Sequence, residues 1–267
     1  MRNDKSSSIS VVLPCFNEGK NIYQNTIKIE KFLKNNFRDF EIIAVNDGST
    51  DDTRQELEKL RGNPGIELKI INIPQNKGKG AAVKKGMLES KKKMVMFMDA
   101  DLAIPIEEVN KFIAAIEEGN DLAIASRFIT KIKILKPVLW YRNIMEKIFR
   151  ILRMIIINNY DIRDTQCGFK VFRQEAALRI FPLLTVNRFS FDVEVIYLAK
   201  KMGLRIKELP ITLQNPRESH IRIFQDSWNM FWDLFKIRRN EFTGKYNVES
   251  QLDKVQDTSD KVQTNPK

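Results

Sequence analysis

Five short apolar runs punctuate the first half of the chain: SVVLP at 10–14, EIIAV at 41–45, LKIIN at 68–72, MVMFM at 94–98 and LAIAS at 122–126. Each is too short for a helix and is bounded by polar turn residues, so each predicts a strand, those at 10–14 and 94–98 buried. The stretches between them carry apolar positions at helical spacing and predict helices over about 21–34, 51–60, 78–90 and 105–118. Strands alternating with helices in this way predict an α/β fold, a mostly parallel sheet flanked by helices with right-handed crossovers.

Past Arg127 the pattern changes. Residues 131–160 are basic and apolar together, with Ile144, Ile148, Ile151 or Leu152, and Ile155 on one helical face. A turn into a short strand follows (DTQCGFKVF, 164–172), then helices over 173–179 and 188–201 and a strand over 205–210. An aromatic stripe, Phe224, Trp228, Phe231, Trp232 and Phe235, predicts a helix whose aromatic side faces the core and whose end is basic. From Gly244 the chain is polar, with four acids, four bases and almost no apolar periodicity, and is read as a disordered tail over 244–267. The predicted domain is therefore 8–243.

The most informative polar positions sit where strands end. Asp99 and Asp101 follow the buried run at 94–98 and, one residue apart on an extended backbone, point to the same side. Two hard oxygen ligands there suit Mg²⁺ or Mn²⁺ completed by waters and phosphate oxygens, at the edge where open α/β sheets bind ligands. Alone, the pair also fits a capped turn into the next helix. Asp47 can accept hydrogen bonds from a base or ribose, and Gly48 permits the turn before a helix capped by Ser49 or Thr50. Lys77, Gly78, Lys79 and Gly80 open a helix and suit phosphate, although the spacing is not that of a Walker loop.

Charge narrows the partners. The net charge of +11 favours an anionic one, and 131–153 alone holds seven basic residues against one acid, a net +6. A nucleic-acid module would explain the charge, but helix-turn-helix, zinc spacing and RNP aromatics are all absent from the sequence, so no nucleic acid is expected. Cys15 and Cys167 read as buried small hydrophobes in a reducing compartment. No apolar run approaches the ~20 residues that span a bilayer, and none precedes the first strand as a signal peptide would.

Taken together, VVLPCFNE, VNDGSTDDT, NKGKGAA, MDADLA and SRF, in that order, resemble glycosyltransferase family 2 with its A-type (GT-A) fold. DTQCGFKVF and RFSFDVEVIYLAKKMG extend the resemblance to the polyprenyl-phosphate glycosyltransferases, most closely the dolichyl-phosphate β-glucosyltransferase branch. The resemblance implies an inverting transfer of a sugar, glucose from UDP-glucose, onto a polyprenyl or dolichyl phosphate. By position it assigns Asp99 and Asp101 to the metal and Pro14, Asn17, Glu18, Asp47, Lys79, Asp99 and Ala100 to the nucleotide-sugar. It assigns Arg127, Arg142 and Arg222 to the phosphates, and Asp164 to orienting the acceptor or acting as base, a role a turn cap would also fit. Residues 131–160 would dock on an anionic membrane surface, peripherally and on its cytoplasmic face, with His220 in a loop near the acceptor. Two departures matter: Asn46 stands where many members have a second Asp, and Ala103 where mannosyl enzymes often place a Gln. GDP-mannose as donor, or a soluble sugar as acceptor, are the enzymatic alternatives.

Overall fold

All five apolar runs form strands in the computed structural model, which describes residues 8–61, 67–129, 140–157, 161–213 and 223–247. The first four are β1 (Ser8–Cys15), β2 (Asp39–Asp47), β3 (Leu68–Ile73) and β4 (Met94–Met98), joined by α1 (Ile22–Asn36), α2 (Thr53–Arg61) and α3 (Lys79–Leu88). A single 3₁₀ turn (Ile106–Glu108) leads into α4 (Val109–Glu117), followed by β5 (Leu122–Ser126) and the long α5 (Trp140–Ile157). Then come β6 (Phe169–Arg173), α6 (Gln174–Ile180), α7 (Phe191–Lys201), β7 (Ile206–Pro210) and α8 (Ile223–Phe242).

The seven strands make one sheet in the order β3-β2-β1-β4-β6-β5-β7. β1 pairs in parallel with β2 and β4, β2 with β3, and β5 with β7. β6 runs antiparallel between β4 and β5. It therefore enters the sheet at the edge where β4 and β5 end, and brings the residues just before it to the carboxyl end of β4. The faces are covered separately. Ile22, Ile29, Leu33, Leu57, Phe112 and Ile116 pack on one side. Val83, Met87, Ile180, Val195, Leu198 and Ile237 pack on the other. Burial on both faces accounts for the apolar runs of β1, β2, β4 and β5; β3, at the edge of the sheet, is buried at none of its residues.

Three expectations need correction. Arg153, counted with the basic residues of the docking segment, is buried, its guanidinium donating to Thr165 Oγ1 at 2.8 Å and to the Ile162 carbonyl at 3.0 Å. The aromatic stripe of α8 does not face the core: Trp228, Trp232 and Phe235 are exposed, while Leu234, Ile237 and Asn240 are buried. Residues 244–247, read as the start of the polar tail, belong to the fold: Tyr246 is fully buried and donates its hydroxyl to Glu194 Oε1 at 2.5 Å. Residues 130–139, 158–160 and 248–267 lie outside the described residues, as do the side chains of 140–148 and 223–227.

Candidate active site

At the carboxyl ends of β1 and β2 two loops are laced together by backbone amides. The Asn17 amide donates to Ser49 Oγ at 3.0 Å, Glu18 to Thr53 Oγ1 at 2.8 Å and Gly19 to Asp51 Oδ2 at 2.9 Å. In return Asn17, held at a φ of 57°, accepts the Thr50 amide on Oδ1 at 2.9 Å. Ser49 and Thr50 are thereby occupied by the neighbouring loop. The amide of Thr53, the first residue of α2, is taken by Asp51 Oδ1 at 3.0 Å, so Asp51 does the capping expected of Ser49 or Thr50. Pro14, Asn17 and Glu18 thus belong to one rim around the end of β1.

Asp47, at the end of β2, is buried, and its two oxygens accept the amides of Lys77 at 2.9 Å and Gly78 at 2.7 Å. Burial raises its pKa more than these two amides lower it. The residue expected to bind the nucleotide directly is therefore engaged in clamping the loop that opens α3. Gly48 makes this approach possible: its φ is +66°, and a β-carbon there would lie 2.5 Å from the Asn76 amide nitrogen. Asn46 bridges the same loops, donating to Asn72 Oδ1 at 3.0 Å and accepting the Ser49 amide at 3.1 Å.

The clamped loop delivers Lys79 to Asp99. Its Nζ lies 2.5 Å from Asp99 Oδ1, with the carboxylate half-exposed. Burial opposes the charge on Lys79, but Asp99 and then Asp192 more than offset it, and the ammonium is held above the ordinary lysine range. Asp99 itself is set by β6: its amide donates to the Gly168 carbonyl at 3.1 Å. A β-carbon on Gly168 would fall 2.2 Å from Asp99 Oδ2, so no other residue fits there without moving the carboxylate. Asp101 accepts the Ala103 amide on Oδ1 at 2.9 Å, with Leu102 between them at a φ of 54°. The buried Ala100 gives its carbonyl to Asn25 Nδ2 at 2.8 Å. Among the described residues no cluster of three or more His, Cys, Asp or Glu side chains is placed to hold a metal. Two carboxylates with half-exposed oxygens fit an ion whose remaining ligands are waters and phosphate oxygens.

A second charged pair lies at the end of β5. Arg127 meets Asp164 in a fork, Nε to Oδ2 at 2.7 Å and Nη2 to Oδ1 at 3.0 Å, and its amide also reaches Oδ2 at 3.0 Å. Burial pushes Asp164 up, yet Arg127 prevails through those hydrogen bonds and its charge, and holds the carboxyl below the usual carboxylate range. Arg142 lies in the first turn of α5 with its side chain outside the described residues; Arg222 and His220 are outside them altogether. Cys15 and Cys167 are buried thiols, Cys167 pushed up to about 12 by burial.

Two supporting features were not legible in the sequence. Lys170 and Asp192 are both buried and pair with each other beneath the site, Lys170 also donating to the Cys167 carbonyl at 2.8 Å. Glu208 on β7 accepts the amides of Asp164 at 2.7 Å and Arg163 at 3.1 Å, fixing the turn that carries Asp164. The only sequence signal for the first was a charged residue inside an otherwise apolar element, FKVF or FDVEV, and Glu208 sits in a strand, IKELP, that already carries a lysine.

Comparisons with known proteins bear on the family and the fold. Residues 10–181 match the profile of glycosyl transferase family 2. The chain is 35% identical to the dolichyl-phosphate β-glucosyltransferase of Saccharomyces cerevisiae, covering 92% of this chain and 78% of the relative. It is 32% identical to that of Dictyostelium discoideum (91% and 77% covered) and 31% to the human one (91% and 79%). Among solved structures, glucosyl-3-phosphoglycerate synthase of Mycobacterium tuberculosis in complex with UDP superposes with a TM-score of 0.64 at 18% identity, covering 88% of this chain and 82% of that one. The same enzyme with Mn²⁺, UDP-glucose and phosphoglyceric acid gives a TM-score of 0.63 at 16% identity, covering 92% and 82%. The structural likeness bears on the fold, which is of the GT-A kind, and the sequence likeness on descent: this chain belongs to glycosyl transferase family 2.

Proposed function

We propose that this protein is a divalent-metal-dependent hexosyltransferase that moves glucose from UDP-glucose to dolichyl phosphate at a membrane surface. The observation that carries the reading is the pairing of Lys79 with Asp99 at the carboxyl end of β4, two residues before Asp101, on a chain alike over nine-tenths of its length to dolichyl-phosphate β-glucosyltransferases. Mg²⁺ or Mn²⁺ held by Asp99 and Asp101 would offset the charge of the departing diphosphate. Lys79 and the amino end of α3 face the same charge. The acceptor's phosphate oxygen attacks the anomeric carbon as the bond from that carbon to the diphosphate breaks, inverting the centre and releasing UDP.

A phosphate monoester has a second pKa of ~6, so it is already a dianion at neutral pH and needs placement more than a strong base. Asp164, with both oxygens engaged by Arg127, is suited to holding that guanidinium in place and poorly suited to taking a proton. Arg127, with Arg142 and Arg222, supplies the positive charge for the acceptor. The membrane part of the reading is supported by α5 and α8. Ile151, Ile155, Trp228, Trp232 and Phe242 are exposed, and a groove along α8 adds Lys236, Arg238 and Arg239. Apolar residues edged by cations suit an anionic bilayer surface. Among the described residues, no helix is long and apolar enough to cross a membrane.

The test supplies purified protein with dolichyl phosphate, Mg²⁺ and labelled UDP-glucose or GDP-mannose in separate reactions, then extracts the lipid. Label passing from UDP-glucose into the lipid is the expected result. Label from GDP-mannose would replace the donor, label in a water-soluble product would replace the acceptor, and none from either would overturn the reading.

A further inference from the structure

Lys79 and Asp99 pose a question of ion exchange. An ammonium 2.5 Å from one oxygen of Asp99 competes with a dication for that carboxylate, because it neutralises the charge that would attract the ion and would repel it at close range. Neither partner is loosely placed. Lys79 begins α3 on a loop whose amides at 77 and 78 are held by Asp47, and the Ala81 amide one turn later donates to the Asn187 carbonyl at 3.1 Å. Asp99 is set by the Gly168 carbonyl and by the bare α-carbon of Gly168 against its Oδ2.

Behind Lys79 there is an acid, Asp192, near enough to favour the ammonium's charge. That acid is already taken: it is buried and paired with the buried Lys170, which is further held by the Cys167 carbonyl. Lys79 cannot retreat inward without setting two ammonium groups on one buried carboxylate or breaking the buried pair. Any partner that draws it off Asp99 must come from the solvent side and must be an anion.

We propose that Lys79 is the resident counter-ion of Asp99, and that the diphosphate of an incoming nucleotide removes it, so that a divalent ion binds at Asp99 and Asp101 only together with a nucleoside diphosphate. The inference rests on the assignment of Asp99 to the metal made above. In it Lys79 is a positioning residue with two stations, the carboxylate in the free protein and the diphosphate in the complex. Its consequence is that free protein ignores Mn²⁺ at concentrations that saturate it once a diphosphate is present.

The test reads Mn²⁺ binding by the loss of the free-ion electron paramagnetic resonance signal, without nucleotide. Lys79→Met and Lys79→Gln should each bind Mn²⁺ at least tenfold more tightly than wild type, and Lys79→Arg should stay with wild type. Wild-type affinity in Lys79→Met would overturn the proposal. Adding Asp99→Asn to Lys79→Met separates the two readings: if the tighter binding disappears, Asp99 is the ligand, and if it persists, the metal assignment itself fails. A further arm needs no variant. The melting temperature of wild-type protein should move little with Mn²⁺ alone, and more with Mn²⁺ and UDP together than the separate shifts add up to. A shift from Mn²⁺ alone as large as that of the pair would contradict the proposal.

Discussion

The rim around β1, β2 and β4 and the surface made by α5 and α8 treat polarity in opposite ways. At the rim, side-chain oxygens are matched to amides of neighbouring loops: Asn17, Asp47, Ser49 and Asp51 each close one loop on another. Along α5 the order is reversed, with Arg153 buried while Ile151 and Ile155 are 53% and 65% exposed. On α8 Trp228 and Trp232 stand out at 63% and 55%, and the Arg238 guanidinium lies 4.9 Å from the Phe242 ring centre. The contrast teaches where each region finds its partner. A rim whose polar groups answer one another is rigid before any ligand arrives, which suits placing a small charged substrate. A helix pair that shows water its apolar side suits contact with another apolar phase.

Two sets of substitutions pull the regions apart. The larger effect is expected from Lys170→Met, which leaves Asp192 buried without its counter-charge beneath the rim. Breaking such a pair costs about 3–5 kcal/mol, a fall in melting temperature on the order of 10 °C for a chain of this size. Its sedimentation with anionic vesicles should match that of wild type. Trp228→Gln with Trp232→Gln should do the reverse, weakening vesicle sedimentation roughly tenfold while thermal stability stays within about 0.5 kcal/mol. If the tryptophan variant melted early and still bound vesicles, the α8 surface would be part of the core after all and the contrast would collapse.

How far the sequence could be read follows from the same contrast. Strands β1, β2, β4 and β5 were legible because a run buried on both faces has one local signature, whereas β3 shows that signature in sequence and is buried at none of its residues. Asp99 and Asp101 stand not on the extended backbone expected of them but in the turn after β4, closed by the Leu102 amide on the Asp99 carbonyl at 3.4 Å. The direction of β6 was not. FKVFR says strand, but only the place where the chain re-enters the sheet after Asp164 decides that it runs antiparallel. Periodicity likewise groups Trp228, Trp232 and Phe235 on one side of α8 and is silent about what that side meets. Arg153 and Tyr246 sat in segments read from their average character, one basic and one polar, and each is an individual exception held by specific hydrogen bonds. Asp47 was recognised by type and place, yet its partners, the amides at 77 and 78, come from a loop thirty residues on.

The claim on which the rest depends is that Asp99 and Asp101 hold the ion that makes transfer possible. It is tested most directly by following glucose transfer from UDP-glucose to dolichyl phosphate by wild type and by Asp101→Asn, with Mg²⁺ and with excess EDTA. Loss of transition-state charge stabilisation of this kind costs roughly a hundredfold or more. The account predicts at least that loss in the variant, with its melting temperature unchanged, and the same loss in wild type under EDTA, reversed on returning Mg²⁺. A variant that transfers at the wild-type rate, or a wild type indifferent to EDTA, would contradict it.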